Sequence, residues 1–434
     1  MDPESDGAHA DMDRKRVRTQ PSCADTIDGR SLTAVEAVSR ILNACPVVQE
    51  SETLAIRDAL GRTLATDVLS PINVPPHTNS AMDGYALAGS SLPATHPCEF
   101  QVAGAAWAGK PFRGALGADQ CVRIMTGAIM PPGTDTVIMQ EQVESKADRV
   151  LIGPGHRPGQ NVRQAGEDLS VGSTAVAAGR RLTPADIGLL ASLGIAEVTV
   201  TRRLRVAFFS TGDELKGIGE ALQEGQIYDS NRYTLHAMLS QLDVDIIDLG
   251  VIPDRKDDIR AALLKAAANA DAIITTGGVS VGEADYIKEA LAEVGDISFW
   301  KIAIKPGRPL AFGRICDGMF FGLPGNPVAV MVTFYQFVQP ALRRMAGEHA
   351  EPPCRFRVPC LSELNKRPGR VEFQRGVLRT DDTGRLVVYR AGRQGSGILS
   401  SMSTANCFIV LPEDADSVAP ETLVEVEPFE GLVR

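Results

Sequence analysis

The sequence lacks the patterns that mark several large protein classes. It has 8 cysteines without a Cys-x-x-Cys pair, and its 6 histidines are scattered without the spacing of zinc ligands. We interpret the cysteines as free thiols of a reducing cytosol. The chain has no signal-peptide apolar segment, and no apolar run approaches the roughly 18 residues that span a bilayer. These absences predict a cytoplasmic protein without a membrane segment.

Positive charge is also in short supply. The 44 lysines and arginines are outnumbered by 54 acidic residues, which gives a formal net charge of −10. A chain of this charge has no general attraction for nucleic acid or for anionic membranes, so we expect neither as a partner. Any anion that it binds needs a local basic cluster. The hydrophobic content of 44% is that of a globular protein, and the length predicts about three domains.

The first half of the chain reads as a tail, two capped helices and a small β domain. Residues 1–26 are polar and aperiodic, which is typical of a flexible tail. Thr33 and Glu36 have the spacing of a capping box, and Thr183 and Pro184 begin a second helix. Between the helices, short apolar runs from about 100 to 152 are broken by glycine and proline, as in small β domains.

The second half changes pattern at residue 204. Four continuous apolar strands alternate with helices that carry apolar stripes, which predicts a parallel sheet covered on both faces. The predicted strands are 206–209, 246–251, 272–274 and 320–323. After Pro352 the pattern returns to β, and a compact C-terminal β module is predicted from strands 371–378, 386–390, 408–411 and 423–426.

Loops at the carboxyl ends of the parallel strands are the expected place for a ligand. The loop 210–215 presents Asp213 and Glu214, and the Gly-rich loop 275–282 leads to Asp285. Glycines allow close approach of backbone N–H groups to a phosphate, although the Gly-Lys-Ser/Thr ending of a P-loop is absent. The carboxylates are ligands suited to Mg²⁺. Each loop by itself is equally compatible with a purely structural turn, including the Pro-rich loop 322–327.

The segment 301–309 supplies the local basic cluster. If 301–305 is extended, Lys301 and Lys305 share one face with Ala303 between them, and Ile302 and Ile304 point into the core. Arg308 follows a Pro-Gly turn. Lysines on an edge strand also protect against aggregation, so an exposed edge is the alternative. Together with the carboxylates, the cluster predicts phosphoryl chemistry on a small polyanion.

These segments resemble the MoeA family of molybdenum-inserting enzymes and are similar to the E domain of gephyrin. The resemblance runs from about residue 27 to the C-terminus. It rests on the stretches 79–86, 124–128, 161–168, 210–215, 275–285, 301–309, 322–327, 373–376 and 394–396. Arg308 stands where the family commonly has lysine, which keeps the charge but changes its geometry. Gly397 stands where relatives can carry histidine, and we assign it no role.

The resemblance implies an α/β plus β fold for an elongated multidomain chain. Its parts are a linking domain in two segments, an inserted β domain, a Rossmann-like parallel-sheet domain of the molybdopterin-binding type, and a β-barrel-like domain. The boundaries predicted here are 27–77 with 167–202, then 78–166, 203–350 and 351–434. It also implies a homodimer, with the site between the α/β domain of one subunit and the inserted domain of the other.

The implied reaction is that of a molybdopterin molybdenumtransferase. Adenylylated molybdopterin and molybdate react with the help of Mg²⁺ and yield molybdenum cofactor and AMP. The implied catalytic residues are Asp83, Glu214, Lys301 and Lys305, and the implied metal ligands are Glu214 and Asp285. The implied substrate-binding residues are Thr126, Arg163, Asp168, Asp254, Thr276, Gly277, Gly278, Ser280, Arg308, Pro324, Pro327, Arg375 and Ser396. A molybdopterin adenylyltransferase and apo-molybdoenzymes are candidate protein partners.

Two other functions are compatible with parts of this pattern. A gephyrin-like scaffold would bind receptors, although the chain has no fused adenylyltransferase domain and no long linker. A molybdopterin adenylyltransferase would share the Gly-rich α/β domain, but such proteins mostly consist of that domain alone. The extra β modules therefore favour the transferase that inserts molybdenum.

Overall fold

The computed structural model describes residues 31–277, 286–349 and 351–429. The predicted tail and the acidic residue Asp285 lie outside them, as do Gly278 and Ser280. The described chain divides into two compact units. The smaller unit consists of Thr53–Leu60 and Thr66–Thr199, and the larger unit contains the remaining residues. The four-domain scheme drawn from the sequence stays a prediction.

The first described element is helix α1 (Ala34–Ala44), in the larger unit. Its capping box is present as predicted: the Glu36 N–H donates to Thr33 Oγ1 at 3.2 Å, and the Thr33 N–H donates to Glu36 Oε2 at 2.9 Å. The buried side chains of α1, Ala37 and Ile41, join the core of the larger unit. Strand β1 (Ser51–Ala55) follows.

The smaller unit is built around a six-stranded sheet, which confirms the β structure predicted there. The strands of this unit between α1 and α2, in chain order, are β2 (Val68–Leu69), β3 (Asn79–Ser80), β4 (Gly84–Leu87), β5 (Cys98–Ala106), β6 (Gln120–Ile124), β7 (Thr136–Met139), β8 (Val143–Lys146), β9 (Arg149–Ile152), β10 (Val162–Arg163) and β11 (Thr174–Val176). The order within the large sheet is β7-β4-β6-β5-β9-β8. Two-stranded pairs join β3 to β10 and β2 to β11. Helix α2 (Pro184–Ser192) has the predicted cap, and β12 (Glu197–Thr201) follows it.

The larger unit contains a second six-stranded sheet with the order β16-β13-β17-β21-β20-β18. The elements of this part of the chain, in order, are β13 (Arg205–Thr211), β14 (Leu215–Lys216), β15 (Ile227–Tyr228), α3 (Ser230–Ser240), β16 (Asp245–Ile252), α4 (Lys256–Ala267), β17 (Ala272–Thr276), α5 (Tyr286–Val294), β18 (Gly295–Lys301), β19 (Ile304–Lys305), β20 (Pro309–Ile315), β21 (Gly318–Leu323), α6 (Pro327–Thr333) and α7 (Gln339–Met345). A π-helical turn, Phe334–Val338, connects α6 to α7.

The parallel arrangement predicted for four strands is confirmed, but the sheet also contains two strands, β18 and β20, that were not predicted. β16, β13, β17 and β21 are parallel, but β20 pairs antiparallel with β21 and β18 pairs antiparallel with β20. The reason is connection length, since only Cys316 and Asp317 lie between β20 and β21 and so short a link can join only antiparallel strands. Separate apolar clusters of buried residues cover the two faces, as the sequence predicts.

The C-terminal part of the larger unit forms a closed barrel of five strands. The strands are β22 (Phe356–Cys360), β23 (Val371–Thr380), β24 (Leu386–Arg390), β25 (Cys407–Leu411) and β26 (Thr422–Pro428), with helix α8 (Leu399–Thr404) after β24. Pairing of β23 with both β24 and β25 closes the ring, and β19 adds to β23 from outside. Four of these strands were predicted, and β22 was not. Within the described residues, the structure has no helix with the length and apolarity that a membrane crossing requires.

Candidate active site

The carboxyl ends of the four parallel strands meet at one edge of the larger sheet. The pairing registers place Thr211 beside Ile252, and Thr276 beside both Ser210 and Leu323. The loops that follow these strands therefore start from the same edge. This is the usual ligand position in an open parallel sheet.

Carboxylates gather at this edge. The Asp254 N–H donates to Asp213 Oδ1 at 3.3 Å. Burial raises the pKa of Asp254, and the negative charges of Asp213 and Glu214 raise it further. Asp213 and Glu214 thus lie close enough to Asp254 for their charges to repel it, and a bound cation would reduce this repulsion. Within the described ranges, however, no three His, Cys, Asp or Glu side chains already stand in metal-binding positions.

The start of the Gly-rich loop is closely packed against the neighbouring strand. Thr276 is buried, and its Oγ1 lies 3.0 Å from Ser210 Oγ. Gly277 has a φ of +88°, and a Cβ atom there would lie 2.5 Å from the Thr211 carbonyl oxygen. Glycine is therefore required at this position for both conformation and space. The remaining predicted loop residues, Gly278, Ser280 and Asp285, lie outside the described residues.

The Pro-rich loop approaches the Gly-rich loop at the same edge. A Cβ atom on Gly325 would lie 3.9 Å from Gly277 Cα. The Gly325 carbonyl accepts a hydrogen bond of 2.7 Å from Asn231 Nδ2, at the start of α3. Pro324 is buried, so the loop is held from both sides. Sequence reasoning did not find Asn231, because nothing in a lone asparagine at a helix start indicates a partner 94 residues away.

The barrel reaches this edge through the loop that contains Ser396. Pro327 is the first residue of α6, and the next N–H, that of Val328, donates to the Ser396 carbonyl at 3.0 Å. The same loop is fixed from behind by Arg375, whose Nη2 donates to the Gly395 carbonyl at 3.1 Å and whose Nε donates to Ser401 Oγ at 3.0 Å. Arg375 is only 1% exposed, and burial lowers its pKa to about 10. Arg375 thus positions the loop within the described structure.

The sequence predicts Lys301 and Lys305 on one face if residues 301–305 form one extended strand. The structure does not have such a strand. β18 ends at Lys301, which is buried. Lys305 belongs to β19, which pairs with β23 of the barrel. Leu32 pairs with the backbone around Ile302, since its N–H donates to the Lys301 carbonyl and its carbonyl accepts from the Ala303 N–H. Burial of Ile302 and Ile304 is confirmed. The turn after Lys305 brings Arg308 back, and its carbonyl accepts from the Ile302 N–H at 2.8 Å.

Lys305 is half exposed and faces a cavity of about 270 Å³. Its Nζ lies 3.0 Å from Glu372 Oε1. The cavity is also lined by Arg375, Arg390 and Gln394. Glu372 was missed by sequence reasoning, because it stands one residue before a recognised stretch and 67 residues from its lysine.

The other predicted residues lie in the smaller unit. Asp83 Oδ1 accepts from the Thr126 N–H at 2.7 Å and from Thr126 Oγ1 at 2.8 Å. These hydrogen bonds lower the pKa of Asp83, so it is an ionised acceptor near neutral pH. Arg163 lies on β10 beside Asn79 of β3. Asp168 is exposed, and its N–H donates to the Val74 carbonyl at 3.0 Å.

Known proteins match the chain along nearly its whole length. Three family profiles cover it in order: the MoeA N-terminal region (domains I and II) over 32–194, a probable molybdopterin-binding domain over 207–344, and the MoeA C-terminal region (domain IV) over 357–429. A molybdopterin molybdenumtransferase of Haemophilus influenzae is 45% identical over 404 residues, which is 93% of this chain and all of that protein.

Relatives of lower sequence identity match a similar share of this chain. A molybdopterin molybdenumtransferase of Nostoc is 38% identical over 84% of this chain and 85% of its own length. Gephyrin of Dictyostelium discoideum is 32% identical over 87% of this chain, which matches 59% of gephyrin. The crystal structure of a MoeA protein from Pyrococcus horikoshii superposes with a TM-score of 0.79 at 28% identity, covering 92% of this chain and all of the other.

Proposed function

The chain belongs to the MoeA family, and from this premise we propose how its candidate site works. It is a molybdopterin molybdenumtransferase that acts in molybdenum cofactor synthesis on molybdopterin and molybdate. We propose that the molybdopterin is adenylylated, that AMP is the second product, and that the enzyme works as a cytoplasmic homodimer with Mg²⁺. The observation that carries the proposal is the meeting of carboxylates and Gly-rich loop at the carboxyl edge of one sheet.

The carboxylate cluster suits the proposed ion. Asp213, Glu214 and Asp254 offer oxygen ligands, which a hard cation such as Mg²⁺ prefers. Burial raises the pKa of Asp254, and the neighbouring negative charges of Asp213 and Glu214 raise it further, so a cation would be favoured at this place. We propose that these residues, with Asp285 from the following loop, would hold the ion. Bound Mg²⁺ supplies positive charge to the phosphate oxygens of the substrate.

The remaining groups bind and orient the anions. Lys305 offers a half-exposed ammonium group to molybdate or to the pyrophosphate, and Lys301 and Arg308 add positive charge in the same segment. Cleavage of the pyrophosphate bond increases the negative charge on the leaving phosphate, which fixed cations stabilise. Thr276 and Gly277 would hold phosphate oxygens. Pro324, Pro327 and Ser396 shape the edge, and Arg375 holds the Ser396 loop.

We propose that residues of the smaller unit help to bind and orient the substrate of the same reaction. Asp83 and Thr126 form an ordered acceptor and donor pair, and Arg163 and Asp168 add one charge of each sign. In the proposed dimer they act on the substrate bound by the partner subunit. Asp83 would orient a substrate donor group and Arg163 would hold an anionic group.

AMP release tests the proposed reaction. Purified protein with adenylylated molybdopterin, molybdate and Mg²⁺ should release AMP, and Lys305→Ala should reduce the rate by about a hundredfold, as loss of a charge-stabilising group usually does. Chromatographic detection of AMP and of molybdenum cofactor measures both products. Equal rates in wild type and Lys305→Ala would refute the assignment. ATP-dependent adenylylation of molybdopterin by this chain would support the adenylyltransferase alternative.

A further inference from the structure

Glu372 carries an ion pair that the reaction above does not use. Its carboxylate is 4% exposed, at the start of β23, and it accepts from Lys305 Nζ at 3.0 Å. Burying a carboxylate is costly unless its hydrogen bonds are satisfied. The partner that satisfies this carboxylate is Lys305, which is one of the proposed catalytic groups.

The backbone sets the two residues side by side. β19 pairs in parallel with β23, and the register places Lys305 opposite Glu372. The Val371 N–H also donates to the Ala303 carbonyl at 2.9 Å, which anchors the strand just before Lys305. Cross-strand neighbours of opposite charge attract each other on a sheet. The fold thus delivers the carboxylate to the lysine directly.

The second oxygen of Glu372 is also occupied. Glu372 Oε2 accepts from Gln374 Nε2 at 3.1 Å, and the same nitrogen donates to the Asn365 carbonyl at 3.0 Å. Residues two apart on a strand lie on one face, so Gln374 supports Glu372 from its own strand. With both oxygens engaged, the carboxylate has a fixed orientation. It can therefore hold the flexible lysine side chain in one place.

Charge in the cavity points the same way. Among the described residues that line it, Lys305, Arg375 and Arg390 are cationic, and Glu372 is the single acidic one. A carboxylate at the wall of an anion site weakens anion binding by repulsion. The presence of Glu372 is therefore expected to weaken the binding of an anionic substrate. A role in positioning the Lys305 side chain explains why a carboxylate stands there.

We propose that Glu372 is a positioning residue that fixes the Lys305 ammonium group for the reaction. The inference rests on the proposed function of Lys305. Glu372→Gln should keep a hydrogen-bond acceptor but lose the ion pair, so the ammonium group becomes mobile. Small misplacements of a reacting group cost one to two orders of magnitude in rate. We expect kcat to fall about tenfold or more while the KM for molybdate does not rise.

Steady-state AMP release should be combined with calorimetric titration of molybdate alone. Removal of the negative charge should leave the affinity for molybdate unchanged or increase it a few-fold. Glu372→Asp, which keeps the charge but shortens the side chain, should fall between wild type and Glu372→Gln in kcat. It also serves as the second variant if Glu372→Gln does not fold.

Glu427→Gln is the matched control. Glu427 is a buried barrel carboxylate that pairs with Arg355 at 2.8 Å and accepts from Gln336 at 2.6 Å, outside the cavity. Its kcat should stay within about twofold of wild type. An equal loss in Glu427→Gln would show general loosening of the barrel and overturn the inference. Unchanged kcat in folded Glu372→Gln, or a kcat loss with weakened molybdate binding, would also overturn it. An inactive wild-type protein would instead refute the proposed function.

Discussion

Asp271 lies just before β17, at the amino-terminal edge of the larger sheet. Arg202 donates two hydrogen bonds to its carboxylate, at 2.7 and 2.9 Å, and the Arg205 N–H donates a third at 2.8 Å. Burial alone would raise the pKa of Asp271, but these hydrogen bonds outweigh it and lower the pKa from 3.8 to about 2. The ionised form is therefore part of the folded state.

The lowered pKa makes a prediction about stability and pH. Its folded-state value lies below the unfolded value, so its contribution is complete above about pH 4 and is lost as the pH falls through about 2. Asp271→Asn should reduce the free energy of unfolding at pH 7 by roughly 2 kcal/mol, at 1.36 kcal/mol per pKa unit. Urea denaturation at several pH values measures this difference. The deficit should shrink between pH 4 and pH 2.

Glu99→Gln provides the control for this experiment. Glu99 pairs with Arg149 at 2.7 Å, but both side chains are more than half exposed. Exposed ion pairs contribute little to stability, so this variant should resemble wild type at every pH. A deficit of Asp271→Asn that stayed constant down to pH 2 would mean that the carboxylate's charge is not the source of its contribution.

At the scale of elements, the junction of β17 with the Gly-rich loop is the most constrained part of the proposed site. Gly277 is held in a left-handed conformation directly against the Thr211 carbonyl of the neighbouring strand. The strand ends and the loop are thus one packed element. A change at this glycine moves the proposed phosphate-binding backbone as well as the strand.

Gly277→Ala should therefore destabilise the larger sheet and reduce AMP release. The positive φ costs about 1 kcal/mol, and the contact at 2.5 Å adds to it. In a Trp107→Phe background, Trp300 on β18 is the remaining tryptophan and reports on this sheet in urea denaturation. Gly188→Ala is the control: this position on α2 of the smaller unit has open space for a Cβ, so the unfolding of the larger sheet reported by Trp300 should stay as in the parent variant. If Gly277→Ala were as stable as the wild type, the close packing of Gly277 against the Thr211 carbonyl would be contradicted.

The sequence predicted elements that local physics determines. Continuous apolar runs predicted β13, β16, β17 and β21, and capping residues predicted the starts of α1 and α2. The two antiparallel strands β18 and β20 were not predicted as members of this sheet, because their places depend on pairing across it. The Lys305–Glu372 contact was missed for the same reason, as it joins strands 67 residues apart. The burial of Arg375 depends on a loop that closes around it and leaves no local signal.

At the scale of the whole molecule, the proposed site draws on both units. Lys305 and the carboxylates belong to the larger unit, whereas Asp83, Thr126, Arg163 and Asp168 belong to the smaller unit. In the proposed homodimer, residues of the larger unit of one subunit would act together with residues of the smaller unit of its partner. Under this proposal the protein elutes at about twice the 46.3 kDa of one chain in light-scattering chromatography.

A mixing experiment tests the shared site directly. Asp83→Asn and Lys305→Ala should each be nearly inactive as homodimers. In a heterodimer of the two variants, both lesions fall in one site and the other site is intact, because each site takes Asp83 from one chain and Lys305 from the other. Unfolding and refolding an equimolar mixture should therefore restore about a quarter of the wild-type AMP release, since half of the dimers carry one good site. A site completed within one chain would leave a lesion in every site, and the mixture would stay inactive.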